Sequence, residues 1–198
     1  MTVGTGRRGT LQPDVLAALA QDVREGLSSR PKSLPSRWLY EGAGSKLFEQ
    51  ITELDEYYPT RVERAILAEH APEIVSLSGA SRVIELGSGT SEKTRLLLDA
   101  FTEVDRLDAF TAMDAAEQAL HASIKELAAR YPRTAVSGVM ADFSGHLSGM
   151  PAGPGRLLMF LGGTIGNLGP AERSRLLIQF ADLLDDGEHL LLGTDLVK

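Results

Sequence analysis

Beyond residue 81 the chain alternates short apolar runs with longer amphipathic segments. The apolar runs predict five β-strands, at residues 82–86, 110–114, 135–141, 157–161 and 189–194. Between these runs, apolar residues recur every three or four positions, as expected for helices that bury one face. Strands and helices that alternate through short connections form right-handed βαβ units. We therefore predict an α/β fold whose parallel sheet is covered by helices on both faces.

Helical spacing dominates the first 80 residues instead. Residues 13–25 form an amphipathic helical pattern, and Thr60 and Glu63 have the spacing of a capping box. Such a box satisfies the free backbone N–H groups at a helix start, so it predicts a helix that begins at Arg61. The chain therefore divides into an N-terminal helical segment, residues 1–80, and a strand–helix core, residues 81–198.

Composition narrows the classes of function. The 198 residues suffice for one ordinary domain with at most a small appendage. A formal net charge of -7 argues against nucleic-acid binding, because phosphate recognition needs a concentrated basic surface. The sequence has no cysteine, which excludes disulfides, thiolate metal sites and cysteine nucleophiles. Its four histidines form no H-x-x-x-H pair, so we expect no metal site.

Hydropathy bears on location as well. No apolar run approaches the roughly 18 residues that a membrane-spanning helix needs. The first ten residues contain glycine and arginine and lack the apolar core of a secretory signal. We therefore expect a cytoplasmic protein that does not associate with membranes.

One apolar run ends in an acidic residue and opens into a glycine turn, V-I-E-L-G-S-G-T at residues 83–90. Gly87 and Gly89 allow a sharp turn and a close approach of the backbone to a ligand. The dinucleotide fingerprint G-x-G-x-x-G/A needs a small residue three positions after its second glycine, whereas this chain has Glu92 there. The turn therefore favours S-adenosylmethionine (SAM) over NAD and indicates a methyltransferase.

Ligands of an open α/β sheet bind outside the carboxyl ends of its strands, so polar residues there are candidate site residues. Lys93 is either a partner for the amino-acid carboxylate of SAM or a solvated surface lysine. Asp114 can accept hydrogen bonds from ribose hydroxyls, cap the following helix, or do both. Asp142 and Phe143 follow the third strand, where a carboxylate and a ring can bind adenine.

Two further segments offer polar side chains. Asn167 ends a glycine-rich loop after the fourth strand. Its amide can hold an α-amino and a carboxylate group, or it can cap the helix predicted near Pro170. Tyr57 and Tyr58 precede the predicted helix at Arg61, and they either close a small pocket from above or serve as packing residues.

Six segments carry a resemblance that extends over almost the whole chain after residue 10. The two most specific are E-Y-Y-P-T-R (residues 56–61) and E-L-G-S-G-T-S-E-K-T (residues 85–94). The others are W-L-Y (38–40), G-S-K-L-F-E-Q-I-T (44–52), G-T-I-G-N (163–167) and G-T-D-L-V-K (193–198). Together they resemble the histidine-specific SAM-dependent methyltransferases of ergothioneine biosynthesis, which trimethylate the α-amino group of L-histidine to give hercynine.

The resemblance implies a Rossmann-like SAM-dependent methyltransferase sheet of about five strands, behind an N-terminal helical segment that contributes to the substrate pocket. It implies that SAM is bound by five residues, Gly87, Lys93, Asp114, Asp142 and Phe143. Tyr57 and Asn167 would hold the amino-acid end of histidine, with Tyr40 as a weaker candidate. No catalytic residue is assigned, because methyl transfer to a neutral amine depends on positioning rather than on a strong base.

Two features depart from the family pattern. Ala115 and Ala116 stand where the family has a β-branched and a hydroxyl residue, close to the expected ribose. Family members also continue well beyond Lys198, and their later part recognises the imidazole. We therefore expect a chain truncated at its C-terminus, which would be a monomer if complete. Three hypotheses stay open: a truncated histidine Nα-methyltransferase, a related enzyme for another amine, and a non-catalytic SAM-binding domain.

Overall fold

A computed structural model describes residues 13–39, 42–140, 147 and 149–196. The chain forms two compact units, Met1–Phe48 and Glu49–Lys198. The first contains helix α1 (Pro13–Ser28), a 3-10 helix (Ser36–Leu39) and the start of helix α2 (Gly42–Thr52). Within it the Trp38 indole Nε1 donates a hydrogen bond of 2.7 Å to the Asp22 carboxylate, which ties the 3-10 helix to α1.

The second unit is an α/β structure. Its elements in chain order are α3 (Pro59–Ser78), β1 (Arg82–Leu86), α4 (Thr94–Glu103), β2 (Ala109–Asp114), α5 (Glu117–Arg130), β3 (Ala135–Met140), β4 (Arg156–Phe160), α6 (Pro170–Leu183) and β5 (His189–Leu192). All neighbouring strands are parallel, and their order across the sheet is β3-β2-β1-β4-β5. The predicted fold class and all five predicted strands are confirmed.

The strand ends differ from the prediction by one or two residues. Strand β4 occupies Arg156–Phe160, one residue earlier than predicted at both ends. It stops there because the chain enters a turn with Gly162 in the left-handed region, at φ +77°. Strand β5 ends at Leu192, two residues early. Ala141, the last residue of the predicted third strand, lies outside the described residues.

Two apolar clusters lie on opposite faces of the sheet. One joins α3, α4 and α5 to the sheet through residues such as Leu67, Phe101, Phe110 and Leu127. The other packs α6 against the sheet, with the rings of Phe160 and Phe180 5.8 Å apart in an edge-to-face arrangement. Both faces of the central strands are therefore buried from solvent, as the continuous apolar runs predict. Among the helices in the described part of the chain, none is long and apolar enough to cross a membrane.

The start of α3 corrects one prediction. The helix begins at Pro59, with Tyr58 at the N-cap position and no side-chain cap. Proline fits the first helical turn because its missing N–H would be unsatisfied there anyway. The predicted capping box of Thr60 and Glu63 is therefore wrong, because both residues lie inside the helix. The Glu63 carboxylate is instead bonded to residues 30 and 99 positions away in sequence.

Candidate cofactor and substrate site

The strand order places a crevice between β1 and β4. From β1 the chain builds the sheet outward through β2 to β3, then crosses back to β4 on the other side of β1. The loops that follow β1 and β4 therefore lead away from each other and leave a crevice at the carboxyl ends of these two strands, which is where open α/β sheets bind ligands. Gly87 and Gly162 lie in the turns that leave these two strands.

The turn after β1 has a backbone conformation that few residues adopt. Gly87 and Gly89 lie in the left-handed region, at φ +70° and +49°, and Ser91 joins them at +52°. Nothing lies within 4 Å of a Cβ placed on Gly89, so conformation rather than space requires glycine there. Ser91 is buried and accepts a hydrogen bond of 3.0 Å from the Ser123 hydroxyl, which helps to hold its unusual conformation. The Gly87 N–H donates to the Met113 carbonyl at 2.8 Å and fixes the turn to β2.

Asp114 lies at the end of β2 beside this turn. Its Oδ2 accepts a hydrogen bond of 2.8 Å from the Gly89 N–H, and its Oδ1 accepts one of 2.8 Å from the Ala116 N–H. The carboxylate therefore stabilises both the glycine turn and the segment that leads into α5. Each oxygen of a carboxylate can accept about two hydrogen bonds, so the group retains capacity for a ligand.

Lys93 is not the solvated surface lysine that the sequence left open. Its ammonium forms an ion pair with the Glu63 carboxylate of α3, and the two side chains are only 23% and 17% exposed. The other Glu63 oxygen, Oε1, accepts a hydrogen bond of 2.7 Å from the Gly162 N–H. Glu63 therefore connects α3 to the loops on both sides of the crevice. We call Glu63 and Lys93 the crevice ion pair.

Glu85, the acidic residue at the end of the apolar run, is buried in β1 and only 4% exposed. Its Oε1 accepts a hydrogen bond of 2.6 Å from the Thr94 hydroxyl, whereas no described residue bonds to Oε2. Burial raises the pKa of this carboxyl from 4.5 to about 8, although the Thr94 hydrogen bond and the Lys93 charge act in the opposite direction. A large fraction of Glu85 is therefore protonated at neutral pH.

Asn167 does not cap α6, which corrects one of its two predicted roles. The N-cap position is Gly169, whose N–H donates to the Glu172 Oε2 at 3.0 Å. Asn167 ends a 3-10 turn, Thr164–Asn167, on the loop after β4, and its side chain is exposed. It therefore lies on the loop that borders the crevice on the β4 side.

Tyr57 lies just before α3 in a loop that Arg61 holds in place. The Arg61 guanidinium donates to the carbonyls of Leu54 and Asp55 at 2.7 and 2.6 Å. The neighbouring Tyr58 hydroxyl donates to the Asp195 carboxylate at 2.7 Å, which joins the start of α3 to the segment after β5. The arginine of the E-Y-Y-P-T-R string thus has a structural role, since it orders the loop that carries Tyr57.

Three predicted site residues, Tyr40, Asp142 and Phe143, lie outside the described residues. Of the others, Gly87, Lys93 and Asp114 lie together around the turn after β1. Sequence reasoning assigned no ligand role to Glu63 and none to Glu85. For Glu85 a signal was available, since an acidic residue inside an apolar strand pattern predicts a buried carboxyl. For Glu63 the local sequence gave the wrong signal, a capping box.

Comparison with known proteins identifies relatives across most of the chain. A family model described as "Histidine-specific methyltransferase, SAM-dependent" matches residues 19–198. The histidine N-alpha-methyltransferases of Mycolicibacterium smegmatis and Mycobacterium tuberculosis are 50% and 47% identical, each over 91% of this chain and 56% of the relative. Ergothioneine biosynthesis protein 1 of Neurospora crassa is 31% identical over 83% of this chain and 19% of its own length. The chain thus spans about half the length of the two bacterial relatives.

Solved structures share the fold. A DUF574 family protein of Streptomyces avermitilis matches with a TM-score of 0.56 at 16% identity, over 76% of this chain and 61% of that protein. A putative methyltransferase of Thermobifida fusca matches with a TM-score of 0.55 at 17% identity, over 76% of this chain and 59% of that protein. At such identities the likeness concerns the α/β fold alone.

Proposed function

Because this chain belongs to the family of histidine-specific, SAM-dependent methyltransferases, we propose that it transfers methyl groups from SAM to the α-amino nitrogen of L-histidine, giving trimethylhistidine (hercynine) for ergothioneine biosynthesis. The observation that carries the proposal is the arrangement of Gly87, Lys93 and Asp114 around one turn at the β1–β4 crevice. These residues belong to, or directly contact, the segment that most specifically resembles the family.

The described residues fit the cofactor. Two buried polar atoms of the β1 end and its turn, Glu85 Oε2 and Ser88 Oγ, have no hydrogen-bond partner among the described residues, as expected where a polar ligand completes the site. In the proposed complex Gly87 lets the backbone approach the ligand and Lys93 pairs with its amino-acid carboxylate. Asp114 accepts hydrogen bonds from the ribose hydroxyls. Asp142 and Phe143 are proposed to bind the adenine.

When bound, SAM supplies an electrophilic methyl group on a sulfonium. The protein has to hold the neutral amine in line with the carbon–sulfur bond and keep water away from it. We propose that the Tyr57 hydroxyl and the Asn167 amide orient the amino-acid end of histidine. The site has to favour the deprotonated amine, which loses its proton to solvent before each transfer. Neither group therefore needs to act as a strong base, and no covalent intermediate with the protein forms.

Replacing Asn167 with alanine is expected to weaken histidine binding by about tenfold, the effect of one lost hydrogen bond to a charged group. The cofactor should bind unchanged, because Asn167 lies on the loop after β4 rather than on the glycine turn. Calorimetric titration with histidine and, separately, with S-adenosylhomocysteine measures both affinities. Equal losses for the two ligands would contradict the assignment.

The proposed reaction is tested by incubating the chain with SAM and L-histidine and analysing the products by mass spectrometry. Histidine carrying one to three added methyl groups is the expected product. Methyl transfer to a different amine, with histidine unreacted, would favour a related enzyme of other specificity. Binding of SAM without any transfer would favour a non-catalytic SAM-binding domain. The monomeric state and the cytoplasmic location stay predictions from the sequence.

A further inference from the structure

The crevice ion pair is placed where three elements meet. Glu63 belongs to α3, Lys93 precedes α4 after the glycine turn, and Gly162 follows β4. Space for the Glu63 carboxylate is kept by a glycine on a fourth segment. A Cβ on Gly193, just after β5, would collide with Glu63 Oε1 and would lie 3.1 Å from the Leu161 Cα. Two backbone positions on the β4–β5 side of the crevice are therefore adapted to one carboxylate.

Burial makes this pair a costly way to join the elements. The side chains of Glu63 and Lys93 are only 17% and 23% exposed, so both are shielded from most of the solvent. A desolvated ion pair usually contributes no more to stability than apolar contacts of the same volume. The exposed pair between Arg64 and Glu92 nearby, at 59% and 62% exposure, carries no such penalty. A role in ligand binding explains why charges are kept in the crevice.

Both members of the pair retain hydrogen-bonding capacity. A carboxylate accepts about four hydrogen bonds, and the structure shows two on Glu63, from Lys93 and from the Gly162 N–H. A lysine ammonium donates three, and the structure shows one on Lys93, to Glu63. The pair therefore presents an acceptor and a donor side by side. It can bind a second pair of opposite charges without losing its own contact.

From this arrangement we propose that Glu63 and Lys93 together bind the zwitterionic amino-acid end of SAM, with Lys93 on its carboxylate and Glu63 on its α-ammonium group. The inference rests on the proposed function, which places SAM in this crevice, and it adds Glu63 as the residue that recognises the ammonium group. The α-ammonium and carboxylate of an amino acid sit on one carbon, which matches a cation and an anion in contact. A ligand with only negative charge, such as a pyrophosphate, would be repelled by Glu63.

The test uses Glu63→Gln and two ligands that differ in the amino-acid end. S-adenosylhomocysteine carries the zwitterion, whereas 5′-methylthioadenosine keeps the nucleoside and lacks the amino acid. The glutamine oxygen still accepts the Gly162 N–H, so the connection to the loop after β4 is preserved. Calorimetry should show S-adenosylhomocysteine binding weakened by about 10- to 100-fold, the loss of a charged hydrogen bond. Binding of 5′-methylthioadenosine should be unchanged.

The matched control is Glu92→Gln, which removes an exposed carboxylate from the same turn and should change neither affinity. Equal losses for both ligands in Glu63→Gln would show a purely structural role and overturn the assignment, as would wild-type affinity for S-adenosylhomocysteine. If thermal unfolding shows that Glu63→Gln is not folded, Glu63→Asp is used, which keeps the charge but withdraws the carboxylate by one methylene group, and it must show the same selective loss. A wild-type chain that binds neither ligand would overturn the proposed function as well, whereas a failure confined to the variants would leave that function intact.

Discussion

Replacing Glu85 with glutamine is expected to stabilise the protein at pH 8 and to change its stability little at pH 5. The Glu85 carboxyl has a folded-state pKa of about 8 and an ordinary value of 4.5, because its burial in β1 disfavours the charged form. Between these two values the folded state binds more protons than the unfolded state, so wild-type stability falls as the pH rises from about 4.5 to 8. Glutamine resembles the protonated acid, and its oxygen can still accept the Thr94 hydroxyl.

Urea denaturation from pH 5 to pH 8 measures this effect. The difference in unfolding free energy between Glu85→Gln and wild type should grow with pH to the order of a few kcal/mol at pH 8. Glu103→Gln, which removes an exposed carboxylate at the end of α4, serves as the control and should show no such growth. A pH-independent difference for Glu85→Gln would mean that Glu85 is ionised throughout and that burial is not the dominant influence on it.

Replacing Arg156 with methionine is expected to destabilise the fold by about 3–5 kcal/mol, because it leaves a buried carboxylate without its cation. The side chains of Arg156 and Glu188 are 7% and 3% exposed. The Arg156 Nε donates to both Glu188 oxygens at 2.9 Å, and Nη2 donates to the Leu183 carbonyl at 2.6 Å. These bonds join the start of β4 to the end of α6 and to the turn before β5. They lie at the edge of the sheet opposite the crevice.

The Arg156 bonds also set a pH dependence. Hydrogen bonding to Arg156 lowers the pKa of Glu188 from 4.5 to about 2. The resulting stabilisation is therefore complete above about pH 4.5 and is lost as the pH falls through 2. Arg156→Met should remove this acid-sensitive contribution. The difference in unfolding free energy between Arg156→Met and wild type should therefore be larger at pH 7 than at pH 3, as measured by urea denaturation.

The control is Arg64→Met, which breaks the exposed pair with Glu92 and should change the free energy of unfolding by about 1 kcal/mol or less. A similarly small loss in Arg156→Met would contradict the account.

The sheet could be predicted because its central strands are buried on both faces. Burial on both faces leaves continuous apolar runs that sequence patterns reveal, as in β1 and β4, where nearly every residue is buried. Strand ends were less certain, since they depend on backbone turns such as the one at Gly162. The start of α3 was misassigned because Thr60 and Glu63 have capping-box spacing, while Pro59 already begins the helix.

The candidate site was predictable only where its residues are close in sequence or lie at strand ends. Gly87 and Lys93 share one motif, and Asp114 follows from the rule that ligands bind at the carboxyl ends of strands. Glu63 could not be found in this way. Its contacts with Lys93 and Gly162 span 30 and 99 residues, and they depend on how α3 lies against the sheet. The tertiary structure, rather than any local pattern, brings this carboxylate into the crevice.

The central claim is that SAM binds at the carboxyl ends of β1 and β4, and hydrogen–deuterium exchange with and without S-adenosylhomocysteine tests it most directly. The account predicts that added ligand slows amide exchange in residues 87–93, 114–116 and 162–167, which surround the crevice. The turn before β5, at the opposite edge of the sheet, should exchange at the same rate in both states. Ligand binding that leaves all three segments unprotected, or protection confined to another part of the chain, would contradict the claim.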